Sequence, residues 1–468
     1  MIENIRNVHF VGIGGIGMSG IARILLKRGC AVSGSDIRDS HILDSLRDSG
    51  VKIYTGHNPD NIPASTQLVV RSEAARPSNP EIARAVSDEI PVMTYAECLG
   101  ELMRHYRGVA VAGTHGKTTT TAMIVAILRQ AELDPSFVIG GETPWLGGAS
   151  DLGKGDLFVA EACEYHRSFH SLKPEIALVN NIEEDHLDYY SGIEEITDAF
   201  GLFVEQIPEN GLLVFNADDE RATRAAEWRR CEARTFALNG RADWTASEIS
   251  SSFGFTSFRA HFRGTPWGRF CLKMSGLHNV ANALAAMAVT EYLGAGEETM
   301  VQAFAAFPGV RRRFEELGEV NGVTVVDDYA HHPTAIRATL HAARLTYPGK
   351  KIWCVFQPHQ HSRTRHLLKD FARSFGEADC VIVPDIYFVR DSLWETGRVS
   401  AEDLVREISL LGGSAKYIPD FDGIMETISS DVHPGDLLLT MGAGNIHEVA
   451  HRLVGESRPA KLPQEAVY

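Results

Sequence analysis

The stretch Gly113-Thr114-His115-Gly116-Lys117-Thr118-Thr119-Thr120 constrains this chain most, because it joins an apolar strand, Gly108 to Ala112, to a helical pattern from Thr118. A glycine-bearing turn from strand to helix aims backbone N–H groups at one point, as a phosphate-binding loop requires. In that reading Gly113, Thr114, His115, Gly116 and Thr119 form the cradle. Lys117 neutralises β- and γ-oxygens, and the Thr118 hydroxyl reaches a Mg²⁺ that bridges them. Val111 stands where GxxxxGK[ST] has its first glycine, and a solvated basic turn is the structural alternative. The loop makes an NTP, rather than NAD, the expected principal cofactor.

The rest of the chain repeats the same βαβ rhythm. Short apolar runs at Val8 to Val11, Ala31 to Ser33 and Leu68 to Val70 alternate with helical stretches such as Met18 to Lys27. A second series holds the loop, with strands at Leu157 to Ala160 and Ile176 to Val179 and a helix over Asn279 to Leu293. A polar connection, Phe307 to Glu316, leads to a third series with strands at Thr324 to Val326, Lys351 to Phe356, Cys380 to Val383 and Asp436 to Thr440. A chain of 468 residues at roughly 150 per domain also gives three. The expected units are 1-106, 107-313 and 314-468, all α/β, with a loose tail after Gly455.

Charge and cysteines narrow the partners. A formal charge of −16 excludes wholesale attraction to nucleic acid or anionic membrane, which leaves small molecules. Seven scattered cysteines without a CxxC pair argue against a disulfide framework or zinc site. The opening apolar run is too short for a signal peptide or membrane span, so a cytoplasmic location without membrane insertion is expected.

Four further motifs carry chemistry. Gly12-Ile13-Gly14-Gly15-Ile16-Gly17 follows a strand and precedes a helix, and Asp36 ends the next strand, which fits a nucleotide with Asp36 on a sugar hydroxyl. An NAD enzyme, a UDP-sugar binder and a ligand-free turn all remain open on that motif. Glu161 and His186 stand at strand ends in Glu161-Ala162-Cys163-Glu164 and Asn180-Asn181-Ile182-Glu183-Glu184-Asp185-His186, where they suit a divalent cation. The acids from Glu183 to Asp185 read equally as first-turn helix charges. His278 and Asn282 lie one helical turn apart, with Asn282 a candidate for adenine edges or a plain packing residue. Arg311-Arg312-Arg313 leads into Asp327-Asp328-Tyr329-Ala330-His331-His332-Pro333, and Gln357-Pro358-His359-Gln360-His361-Ser362-Arg363 follows the next strand. There one of the arginines suits transition-state phosphate charge, Asp328 a ribose, His331 or His332 the acceptor substrate, and Arg363 a carboxylate or phosphate.

In this order the motifs resemble the Mur ligase family from about Val8 to Val449, and within it the branch that adds L-alanine. The resemblance implies a first domain for UDP-N-acetylmuramate, a central ATPase domain, and a Rossmann-like third domain that brings the amino acid. Gly14, Gly15, Ile16, Gly17, Met18, Ser19, Asp36 and Ser72 would serve the UDP-sugar, although Arg71-Ser72-Glu73-Ala74 replaces a Ser-Ser-Ala-like stretch. Lys117 and Thr118 would serve ATP and Mg²⁺; Thr118, Glu161 and His186 the metal; His278, Asn282, Arg312 and Asp328 the adenosine end; and His331, His359 and Arg363 the acceptor. Two Mg²⁺ are expected, with Mn²⁺ able to substitute. Phe200-Gly201-Leu202-Phe203 occupies the neighbourhood where sister enzymes carry a carbamylated lysine, an absence typical of the alanine-adding branch. The implied chemistry is carboxylate activation as an acyl-phosphate by Lys117, His186, Arg312, His331 and Arg363, in a monomer or homodimer hinged near Arg313. Rival readings are tripeptide addition to the same sugar, folylpolyglutamate synthesis, an NAD dehydrogenase and a regulatory NTPase.

Overall fold

The computed structural model describes residues 2–389 and 391–455, so the tail expected after Gly455 lies outside the described residues. Three sheets account for the three series. The first is wholly parallel, in the order Lys52–Thr55, Ala31–Asp36, Asn7–Val11, Leu68–Arg71, Val92–Thr94. Winding reverses between Asn7–Val11 and Leu68–Arg71, which opens a crevice beyond the strands' C-terminal ends. The glycine turn enters that crevice and runs into helix Ile16–Lys27.

The second sheet has ten strands. Its parallel centre runs Glu232–Ala237, Leu212–Asn216, Ile176–Val179, Arg107–Ala112, Leu157–Ala162, Ser136–Val138. These strands are covered on both faces, which explains why they read as unbroken apolar runs; Ile176–Val179 is buried at every position. Helices Lys117–Gln130, Leu277–Tyr292 and Glu297–Ala306 pack together over one face, and Ile196, Phe200 and Phe203 of helix Ile193–Val204 join the core on the other. An antiparallel meander, Trp244–Ser252, Phe255–Phe262 and Thr265–Leu272, extends one edge. The sequence reading passed over it because only one face of each strand is apolar and the other carries Ser, Arg and His.

The third sheet runs Glu315–Val320, Val323–Asp328, Leu437–Met441, Ile352–Phe356, Cys380–Val383, Ala415–Tyr417, parallel except for its first strand. That edge strand begins inside the stretch expected to be a polar connection, since Glu315 and Glu316 pair with Asp327 and Val326. The turn before it bends through positive φ at Arg312 and Phe314, where the hinge was expected. No helix among the described residues is long and apolar enough to cross a membrane.

Candidate active site

The C-terminal strand ends of the second and third sheets, with Gly15 and Ile16 from the first, line one cavity of about 1320 Å³. Parallel strands direct their carboxyl ends and following loops the same way, so three separately wound sheets can share one cleft.

The phosphate loop forms its floor. Gly113 and Gly116 have φ of 139° and 81°, and a Cβ on Gly116 would stand 2.5 Å from Asn282 Oδ1 and 2.9 Å from Asn180 Nδ2. Only glycine fits that turn. The loop is strapped from the neighbouring strand end: His115 N–H donates to Asn181 Oδ1 (2.7 Å), Thr114 N–H to the Asn181 carbonyl (3.0 Å), and Glu183 N–H to Thr114 Oγ1 (2.9 Å). Lys117 Nζ donates to the Gly113 carbonyl and pairs with Glu164 at 2.9 Å. Burial alone would pull the ammonium's pKa down, but Glu164 and then Glu161 outweigh it and leave it raised, so Lys117 stays charged. Glu164 was passed over as a site residue, although its spacing from Glu161 beyond one strand end was visible.

Beside the lysine, Thr118 Oγ1 lies 3.2 Å from Glu161 Oε2, and the Gly140 N–H donates to Glu161 Oε1 at 2.5 Å. Burial pushes the Glu161 carboxyl above its usual range even though Gly140, Lys117 and Arg313 pull it down. His186 Nε2 lies 3.9 Å from Glu164 Oε1, and its ring packs against Tyr165. A hydroxyl, the half-buried Glu161 and buried Glu164 carboxylates and an imidazole make an oxygen-rich donor set that fits Mg²⁺ completed by phosphate oxygens.

The third sheet supplies the lid. Arg363 places Nε and Nη2 on Asp185 Oδ1 at 3.1 and 2.8 Å, with both side chains 8% exposed. Burial would raise the Asp185 pKa, but Arg363 holds it well below the ordinary carboxylate value. His359 Nδ1 lies 3.3 Å from Arg363 Nη1 and its ring stacks on Tyr387. His331 hydrogen-bonds through Nδ1 to the Tyr329 carbonyl (2.9 Å), and burial, then the charge of Arg363, keeps its pKa far below normal. Arg312 turns to the third sheet, bonding Asp327 (3.1 Å) and the Gly442 carbonyl (2.7 Å), whereas Arg313 reaches Thr118 Oγ1 at 3.3 Å. Asp328 accepts from the N–H groups of Phe314 (2.6 Å) and Ala330 (2.7 Å) and from Thr339 Oγ1 (3.3 Å), which fixes the turn at the cleft wall.

His278 is exposed at the cleft, whose walls draw its pKa down to about 4 by desolvation. Asn282 accepts from Thr120 Oγ1 (3.2 Å) and donates to Asn279 (3.3 Å), so it packs the loop from below. At the cleft's other end Asp36 accepts from the N–H groups of Gly14 and Ile37, each 2.8 Å, and so closes the glycine turn. Ser72 lies across the switch point, its N–H on the Val11 carbonyl (3.0 Å). Met18 and Ser19 are buried in the first helix turn, with Ser19 Oγ bonded to the Ile16 carbonyl (2.9 Å). Gly17 touches the Tyr95 ring.

Residues 7–107 match the Mur ligase family catalytic domain, 111–290 the Mur ligase middle domain and 312–444 the Mur ligase glutamate ligase domain. The UDP-N-acetylmuramate–L-alanine ligase of Acetivibrio thermocellus is 46% identical over 97% of this chain and 96% of its own. The chain belongs to the Mur ligase family. Among solved Mur ligases, UDP-N-acetylmuramate–alanine ligase of Thermotoga maritima superposes with a TM-score of 0.82 at 29% identity, covering 96% of this chain and 98% of its own. Murein peptide ligase of Psychrobacter arcticus gives 0.72 at 27%, covering 97% and 100%.

Proposed function

We propose that this Mur ligase joins L-alanine to the carboxylate of UDP-N-acetylmuramate, converting ATP to ADP and phosphate in peptidoglycan precursor synthesis. The observation that carries the proposal is the single cleft in which the Lys117 loop faces His331, His359 and Arg363 of the third sheet. Likeness over nearly the whole chain to the Acetivibrio thermocellus enzyme supports the choice of acceptor.

In the first step the muramoyl carboxylate attacks the γ-phosphorus and ADP leaves, forming an acyl-phosphate. Lys117, released from Glu164 by the incoming phosphates, neutralises charge spread over the transferring group, and Arg313 adds a second cation. Thr118, Glu161 and His186 would hold Mg²⁺, which supplies further charge neutralisation when bound. In the second step the alanine amine attacks the acyl carbon, phosphate departs and the amide forms. His331, kept neutral, is positioned to take the amine proton, and His359 with Arg363 orients the acceptor. Docking of the third unit excludes water, which would otherwise hydrolyse the acyl-phosphate. We place the unit boundaries at 1-106, 107-313 and 314-468, with Gly14 to Ser19, Asp36 and Ser72 on the UDP-sugar.

Phosphate release is the deciding assay, with ATP, Mg²⁺ and UDP-N-acetylmuramate plus L-alanine, tripeptide or no acceptor. Release that requires L-alanine is expected. Release only with tripeptide would transfer the chain to the murein peptide ligase reaction, and acceptor-independent release would remove the ligase reading.

A further inference from the structure

A second cluster lies where the lid meets the phosphate loop. His115 comes from the loop, Glu183 from beyond strand Ile176–Val179, and His332 from the N-cap of helix Pro333–Thr346. Glu183 Oε2 is 3.4 Å from His115 Nε2 and 3.5 Å from His332 Nδ1, and no two of these atoms are more than 4.8 Å apart. A tetrahedral shell with bonds of about 2.1 Å sets ligand atoms about 3.4 Å apart. Two of the three edges therefore already have the length a metal imposes, and a small ring rotation closes the third.

Hydrogen bonding explains why these atoms need a cation between them. His332 Nε2 lies 3.1 Å from the Glu184 carbonyl, an acceptor only, so Nε2 carries the proton and Nδ1 of the neutral ring presents a lone pair. That lone pair is aimed at the carboxylate of Glu183 and meets only a long N–H contact from Thr334 at 3.4 Å. His115 Nε2 is buried with no hydrogen-bond partner among the described residues. Thr334 Oγ1 donates to Glu183 Oε2 at 2.6 Å and fixes the carboxylate, as the Glu184 carbonyl fixes the His332 ring. Such supporting bonds are what orient metal ligands.

We propose that His115, Glu183 and His332 form a binding site for a borderline-soft divalent cation of the Zn²⁺ type, separate from the oxygen-rich Mg²⁺ position at Thr118, Glu161 and His186. Two imidazoles and one carboxylate satisfy three tetrahedral positions, and the fourth opens to the cleft that all three residues line. Because His332 belongs to the lid and the other two to the ATP unit, the ion binds only when the lid is docked. It therefore staples the docked arrangement and slows product release.

Metal-stripped, nucleotide-free full-length chain, held in millimolar Mg²⁺, is titrated with Co²⁺ and followed by visible absorption. One equivalent with tetrahedral d–d bands is expected, displaced by Zn²⁺, at least tenfold weaker in His332→Ala and in Glu183→Gln, and unchanged in Glu161→Gln. Should His332→Ala fail to fold, Glu183→Gln reads the same loss. Binding that survives both His332→Ala and Glu183→Gln, or that disappears in Glu161→Gln, overturns the proposal and leaves the ligase reading untouched.

Discussion

Single side chains decide whether the phosphate loop works. Lys117 is half-buried against the buried Glu164, so replacing it removes both the cation proposed to meet phosphate and the partner of a buried acid. Lys117→Ala is expected to cut alanine-dependent phosphate release about 10³-fold while the fold persists by circular dichroism. Gly116→Ala should act by a different route: at φ of 81° a Cβ meets Asn282 Oδ1 at 2.5 Å, so the loop must shift. Loss of protection from heat by ATP, with the amino-acid half of the cleft intact, is the expected signature, and undiminished ATP protection would refute the steric argument. Lys117, Gly116 and Thr118 were readable in the sequence because a phosphate loop is local, all its geometry being set within one strand–turn–helix. Glu164 and Asn181 were harder to read, because their value comes from a neighbouring strand end that only the parallel order of the sheet brings alongside.

At the scale of elements, the first sheet rests on one buried acid. Glu81, in the first turn of helix Pro80–Ser87, is fully buried and accepts from Ser35 Oγ (2.5 Å), Asn61 Nδ2 (2.6 Å) and the Asn58 N–H (3.0 Å). His9 Nε2 lies 3.3 Å away. Burial would raise its pKa, but His57, His9, Ser35 and Asn61 together lower it far below the ordinary value. An acid depressed in the folded state contributes stability that is present above about pH 4.3 and drains away as pH falls toward the folded value. Glu81→Gln should therefore cost about 3 kcal/mol at neutral pH, measured as faster hydrogen exchange in strand Ala31–Asp36, with the deficit shrinking in acid. This network escaped the sequence reading because residues 9, 35, 57 and 81 fall in four different elements with no shared period. Strands such as Ile176–Val179 were plain for the opposite reason: burial on both faces writes itself as an uninterrupted apolar run, whereas the half-exposed meander from Trp244 to Leu272 does not.

The whole molecule is held together across the cleft by few contacts. Arg363 on Asp185, His332 on the Glu184 carbonyl and Thr334 on Glu183 join units far apart in sequence, and no local pattern could pair them. Arg363→Ala leaves the Asp185 carboxylate buried without its cation, a cost of about 3–5 kcal/mol that the lid can escape by opening. Small-angle scattering is expected to show a larger radius of gyration for that variant without ligands, and kcat to fall; an unchanged radius would mean that the other contacts suffice. The convergence of strand carboxyl ends on one cavity also divides the molecule along another line. The amino-terminal edges of the parallel strands face away from the reaction, so insertions, fusions and neutral drift there are expected to be chemically silent. With the acceptor held as proposed by His331, His359 and Arg363, acceptor choice rests on the loops after Asp328 and Phe356 and can diverge while the ATP half is inherited unaltered.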